Sequence, residues 1–438
     1  LLHVIKVVRV SPATDSSRDS VNSTILPLTF FDLRWIKFHP NQRVIFYKLP
    51  ESSRESFHSL ILPKLELSLS LHDTVPLTIA ETDADFSFVS GNGLRPASDL
   101  HPLVPDLTVS DDSTSVLSLQ ITLFPNQGFC IGITSHHSVL DGKTSTMFIK
   151  SWAHLCRLHE QAMDFPLVLP DDLTPSFDRT VINVPYGLES KMMELFLYLS
   201  EDSDNFKTLK PPPLNVIYVE VKLRERVKNV SLRSPLELHL STFVIAYAYA
   251  WTCLVKARGG NVSRLVSFLY TADLRHRLNP QIPATYFGNC VFPVGWVHYE
   301  AITFLEQDGF VKAVEILSDL VKGLGSRGIE SLFETYMEGA KTRKHGEQLG
   351  SVAGSARLGV YGSDFGWGKP VKTEVVSIDG NEAFSLSERR DESGGVAMGV
   401  CLKKSEMNIF LSLFEDGLSD KAFKNHSYVM NNISSVPS

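Results

Sequence analysis

The densest chemistry in this 438-residue chain is the run Ser135-His136-His137-Ser138-Val139-Leu140-Asp141-Gly142. An imidazole with an unperturbed pKa of about 6.5 is mostly neutral near pH 7 and can take a proton from a hydroxyl. His137 is the candidate general base. Asp141, four positions on, invites comparison with the acid that orients the histidine of a serine-protease triad. Gly142 follows it directly, however, so Asp141 sits at a tight bend entering a helix. There a carboxylate caps the helix or pairs with a distant arginine. The chain has no Gly-x-Ser-x-Gly elbow to seat a serine nucleophile. Taken alone, the His-x-x-x-Asp spacing is a weak signal and better fits a histidine satisfied by local hydrogen bonds.

The elements around this run are readable. Ser115 to Phe124 alternates β-branched and polar residues, Pro125-Asn126-Gln127-Gly128 makes a turn, and Phe129 to Thr134 resumes as a strand, which predicts a β-hairpin. Lys143 to Leu158 carries Met147, Phe148, Trp152 and Leu155 at helical spacing and predicts an amphipathic helix packed on that hairpin. The reactive run lies where strand stops and helix begins, at a loop end of the kind that holds functional groups.

Composition bounds the rest. A content of 43% hydrophobic and 10% aromatic residues supports a large core, and the length suggests two or three domains. There are 42 basic and 49 acidic residues, a net charge of -7, and the basic ones are scattered, which argues against nucleic acid as a partner. Cys130, Cys156, Cys253, Cys290 and Cys401 are odd in number and widely spaced; no metal site is expected and a reducing, cytoplasmic setting fits. The apolar run Leu1 to Val10 is broken by Lys6 and Arg9, too short for a signal-peptide core or a membrane span, and reads as an opening strand. Leu240 to Val255 reads as a buried helix, while Gly399 to Lys403 and Met407 to Phe414 read as strands. No fixed-period repeat is present. The Pro-rich, acidic texture between Phe165 and Pro213 marks a crossover between two halves.

A second motif, Tyr361-Gly362-Ser363-Asp364-Phe365-Gly366-Trp367-Gly368-Lys369-Pro370, surrounds one acid and two aromatics with glycine. Its Asp-Phe-Gly core could suggest a protein kinase, but the chain has neither a His-Arg-Asp catalytic loop nor a phosphate loop before it. A compact turn with positive φ at glycine, carrying Phe365 and Trp367 into a core, is expected instead.

His137-x-x-x-Asp141 followed far downstream by Asp364-Phe365-Gly366-Trp367-Gly368 resembles the two signatures of the BAHD acyltransferases. Tyr286-Phe287-Gly288-Asn289-Cys290 is similar to a motif of the branch that acylates the sugars of anthocyanins and phenolic glucosides. Leu26 to Asp32, Phe124 to Gly128 and Ser351 to Ser355 are similar to crucifer phenolic glucoside malonyltransferases.

This resemblance implies an α/β fold, two similar-sized domains of mixed β-sheet flanked by helices with an active-site channel between them. Residues 1–185 are expected as the N-terminal domain, 186–215 as a crossover and 216–438 as the C-terminal domain. It implies a monomer without a permanently bound cofactor, malonyl-CoA as co-substrate, a glycosylated phenolic acceptor, and attack within a ternary complex. Arg275 is the expected partner of Asp141, and Asp364, Phe365, Gly366, Trp367 and Gly368 are expected as structural support. Ser241, Thr242, Lys256, Asn289, Gly354 and Ser355 are expected on the acyl-donor side. Arg179 is matched to the malonyl carboxylate, with a pair to Asp178 or another acid as its plainer alternative.

Two departures stand out. Leu71 runs through His72-Asp73-Thr74 into Val75-Pro76-Leu77-Thr78 where relatives have a further strand, and Ile217 to Leu223 is shortened. A core strand of the first domain is therefore expected to be missing. The alternatives are a hydroxycinnamoyl-CoA-dependent transferase, a catalytically impaired CoA-binding paralogue, and a peptide-synthetase condensation domain, which shares His136 to Gly142 but not the Trp367 segment.

Overall fold

The computed structural model describes residues 1–10, 26–69, 75–108, 115–161, 168–201, 216–217, 238–381, 383–391 and 395–417. The alternating segments of the first third form five strands, β1 (Leu2–Val10), β2 (Asn41–Lys48), β3 (Val75–Thr82), β4 (Leu117–Phe124) and β5 (Gly128–Ser135). They lie in one sheet in the order β1-β3-β4-β5-β2, and the strand Lys372–Val375, supplied by the second half of the chain, closes it beside β2. The sheet is mixed, with β3 and β4 parallel and the other neighbours antiparallel.

The hairpin β4-β5 forms as its alternation predicts, pairing Leu117 with Ser135 and Phe124 with Gly128. Asn126 takes the left-handed conformation in the turn. A Cβ at Gly128 would stand 2.2 Å from the Tyr47 carbonyl oxygen, so close strand approach requires glycine there. Both central strands are buried on two faces, the condition that makes strands near-continuously apolar. One face carries Phe148, Ile149, Trp152 and Cys156 of the helix Gly142–Gln161, and the other carries Phe86, Leu100, Leu103 and Val376.

The second half is built around the helix Thr242–Arg258, buried at every position from Val244 to Val255. Strands Leu265–Asp273, Val291–Glu300 and Gln348–Gly350 form one small sheet, and Val352–Ala353, Phe384–Glu388 and Val396–Val400 another. Helices Gly309–Gly323 and Lys404–Asp416 pack on the central helix, giving two domains of mixed sheet flanked by helices. None of the described helices is long and apolar enough to cross a membrane.

One expected strand is a helix. Met407 to Phe414 lies within the helix Lys404–Asp416, because its buried residues Met407, Phe410 and Phe414 recur at intervals of three and four, the period of a helix face. The crossover contains a helix, Leu188–Glu201, which buries Leu188, Met192 and Leu195; residues 202–215 lie outside the described chain. The shortening at His72 to Thr74 also lies outside it, yet β3 pairs with β1 on one side and β4 on the other, so the sheet is continuous there. Of the second shortening only Ile217 is described, paired with Leu402.

Candidate active site

Asp141 is the first residue fixed by the local fold. One carboxylate oxygen accepts from the Thr144 N–H at 2.9 Å, capping the helix Gly142–Gln161 as the bend implies. The other accepts from Arg275 at 2.8 Å and from the Cys290 N–H at 3.1 Å. Asp141 and Arg275 are both fully buried. Burial opposes the Arg275 charge, but Asp141 and Asp273 more than offset it and raise the guanidinium above its ordinary pKa. Arg275 also donates to the Gly288 carbonyl at 2.9 Å, while Thr144 Oγ1 donates to the same oxygen. This cluster fastens the loop Tyr286-Cys290 of the second domain to the helix start of the first. Asp141 makes no hydrogen bond to His137.

The His137 ring is held by aromatic neighbours. Trp35 stacks on it with centroids 3.9 Å apart and planes within 5°, and Phe38 meets it edge-on at 5.3 Å. Its Nδ1 is buried without a hydrogen bond of normal geometry, its own backbone carbonyl being the group that favours a ring proton. Nε2 keeps contact with solvent. Burial pushes the imidazolium pKa down to about 3, with His39 and Arg34 adding to the drop and Asp141 opposing it. His137 is therefore a neutral base across the physiological range.

Asn289 joins this ring to the second domain. Its side-chain N–H groups donate to the His137 carbonyl at 2.9 Å and to Asp32 at 3.0 Å. Asp32 also accepts from the Thr29 N–H and hydroxyl, each at 2.8 Å, and burial holds its carboxyl above the usual range despite these bonds. Arg179 lies against Gly288, where an added Cβ would stand 2.0 Å from its Nη1, and that nitrogen donates to the Tyr286 hydroxyl at 2.6 Å. Asp178 does not pair with it; that carboxylate caps Thr180 instead. Arg179 has no carboxylate partner among the described residues, and Nη2 is not buried.

The other expected residues sit apart from His137. Asp364 accepts from the Gly366 and Gly368 N–H groups, both glycines have positive φ, and Phe365 packs edge-on against Trp152 and Tyr47. Trp367 meets Phe129, so the segment braces the first sheet and does not touch His137. Ser241 caps the helix Thr242–Arg258 through Val244 N–H, with Thr242 exposed beside it, whereas Lys256 lies in the last turn. Fifteen residues of helix separate Ser241 from Lys256 by about 22 Å, so the two cannot hold one phosphate. Gly354 has φ 76° with the Leu386 carbonyl 2.7 Å from its would-be Cβ, and Ser355 accepts from the Arg357 N–H.

The sequence reading missed the wall formed by Arg34, Trp35, Phe38 and His39. Its signal was present in Arg34-Trp35-Ile36-Lys37-Phe38-His39, an aromatic and basic cluster between two strands. Among the described residues thirteen buried polar side-chain atoms have no hydrogen-bond partner, and six belong to Arg34, Trp35, His39, His137, Arg179 and Asn289. Native folds satisfy most buried polar groups, so the gathering of these atoms at His137 and its neighbours makes this region the candidate for ligand chemistry.

The depressed His137 pKa has a stability consequence. The unfolded chain binds this proton near pH 6.5 and the folded chain only near 3, so the contribution is complete above about pH 6.5 and is lost as pH falls toward 3. His136 and His39, also lowered by burial, act in the same direction. Urea midpoints measured at pH 7 and pH 4 are expected to fall further for the wild type than for His137→Gln. Equal falls would show that the folded ring takes up its proton as freely as the unfolded one.

A family model described as Transferase family matches residues 72–417. Phenolic glucoside malonyltransferase 2 of Arabidopsis thaliana is 52% identical, across 95% of this chain and 99% of the relative. Agmatine coumaroyltransferase of the same organism is 51% identical, across 94% and 98%. The crystal structure of vinorine synthase superposes with a TM-score of 0.69 at 18% identity, covering 94% of this chain and 98% of that one, which shows a shared fold.

Proposed function

Because the chain belongs to the BAHD branch of the transferase family, whose members transfer acyl groups from coenzyme A thioesters, we propose that it moves a malonyl group from malonyl-CoA to a sugar hydroxyl of a phenolic or flavonoid glucoside. His137 serves as the general base. Its Nε2 takes the hydroxyl proton as the oxygen bonds to the acyl carbon, the C–S bond then breaks, and the departing CoA thiolate recovers the proton. Asn289 is a positioning residue that holds the His137 backbone. The two domains are assigned to residues 1–185 and 216–438 with 186–215 as the crossover, except that Lys372–Val375 belongs to the first sheet and the helix Leu188–Glu201 to the second core, and the substrates meet in the channel between them. The enzyme acts as a cytoplasmic monomer.

The observation that carries the malonyl reading is Arg179, a guanidinium that makes no ion pair among the described residues, although its charge acts on the buried Asp32, beside the Gly288-Asn289 strip that reaches His137. A free carboxylate on the donor must be desolvated, and a fixed cation offering N–H donors offsets that cost. Arg179→Ala is expected to reduce malonyl transfer by at least tenfold, since a charge-assisted hydrogen bond contributes roughly 1.5–3 kcal/mol, while acetyl transfer is spared or rises. CoA release from the two thioesters measures the split; equal losses would assign Arg179 to structure. The relative named for coumaroyl transfer favours a second reading, a hydroxycinnamoyl donor, and comparing malonyl-CoA with coumaroyl-CoA on the wild type separates the two. Absence of CoA release with either donor would favour an impaired paralogue.

A further inference from the structure

We propose that Arg34 sets the charge of the acceptor, admitting neutral and anionic hydroxyl compounds to His137 and turning away cationic amines. The inference rests on the reading of His137 as the base and deepens it by naming what the base can approach. The Arg34 guanidinium lies over three rings, Trp35 at 5.0 Å, Tyr336 at 5.0 Å and Phe38 at 5.8 Å, and Trp35 and Phe38 are the two rings that flank His137. Cation–π contacts thus fix a full positive charge one ring away from the reacting imidazole.

That charge is uncompensated. The Arg34 guanidinium lies over the neutral Tyr336 ring, its Nε is buried without a partner, and no carboxylate pairs with it among the described residues. Arg275, by contrast, holds Asp141 and Asp273. Neither Arg34 nor Arg179 makes an ion pair among the described residues. The carboxylates of the site cannot serve an incoming cation either. Asp32 is committed to Thr29 and Asn289, and Asp141 to Thr144, Cys290 and Arg275. An ammonium or guanidinium acceptor would lose its hydration beside like charge with no counter-charge to meet it. With Arg179 taken by the donor carboxylate, Arg34 is the cation left to face the acceptor.

The test uses the full chain and one fixed CoA thioester, whichever the wild type turns over best, and reads kcat/KM for a neutral phenyl glucoside and for agmatine, a guanidinium-bearing amine. The wild type is expected to favour the glucoside. Arg34→Met should move the amine-to-glucoside ratio toward the amine by about tenfold or more, and Arg34→Lys, which keeps the charge, should leave the ratio near that of the wild type. If Arg34→Met melts below the wild type, Arg34→Gln is read in its place. A wild type that prefers agmatine, a ratio unmoved by the neutral variants, or the same shift with Lys as with Met each overturns the proposal, and an equal loss for both acceptors reduces Arg34 to a structural role. Failure of the malonyl reading shows separately, in the wild-type donor comparison, and leaves this ratio measurable.

Discussion

His137→Ala is expected to lower turnover by about a hundredfold or more while CoA binding stays nearly unchanged, in line with the contribution of a positioned general base. The ring has one accessible nitrogen and no competing partner, whereas the unpartnered Nε2 of the neighbouring His39 is buried. Trp35 and Phe38 offer no base, His39 is turned to the Pro40 carbonyl, and Asp32 and Asp141 are consumed by hydrogen bonds. His136→Ala is expected to be much milder. Its Nδ1 pairs with the Ser138 hydroxyl at 2.7 Å, and adjacent side chains leaving a strand point to opposite faces. CoA release under saturating donor measures both variants. Retained turnover in His137→Ala would remove the imidazole from the mechanism.

What could be read in advance was local. The hairpin β4-β5, the turn at Asn126 and the helix after Gly142 follow from alternation, turn residues and 3.6-residue periodicity, each confined to a short window. Asp141 as a helix cap paired with Arg275 followed from Gly142 beside it and from family likeness. The wall around His137 was not readable, because it depends on which strands pair. Asn41 at the start of β2 lies opposite Ser135 at the end of β5, so the residues entering β2, Arg34 to Pro40, are delivered to the residues leaving β5, His136 to Asp141. Period-two alternation specifies the faces of β2 and β5 but not their adjacency. Met407 to Phe414 failed for a related reason: Met407, Ile409, Leu411 and Leu413 alternate as a strand face would, and only the packing of Met407, Phe410 and Phe414 in the core around the helix Thr242–Arg258 selects the helix.

Removing either partner of the Asp141–Arg275 pair is expected to destabilise the fold by roughly 3–5 kcal/mol, because a fully buried charge is left without its counter-charge. Asp141→Asn is the discriminating variant. The amide retains an oxygen for the Thr144 N–H, so the helix cap survives, but the N–H groups it gains face Arg275 and the Cys290 N–H, which need an acceptor. Arg275 then keeps Asp273, which is more exposed, as its remaining carboxylate. Loosening this cluster also frees the loop that presents Asn289 to the His137 carbonyl, so activity is expected to fall with stability and to return in part at lower temperature. A double variant, Asp141→Asn with Arg275→Met, should cost less than the two single losses summed, since neither charge is then stranded. Thermal melts and CoA release on the same preparations decide between structure and chemistry. An Asp141→Asn protein that melts like the wild type yet turns nothing over would place the carboxylate in the proton-transfer step, a role its distance from any hydrogen bond to His137 argues against.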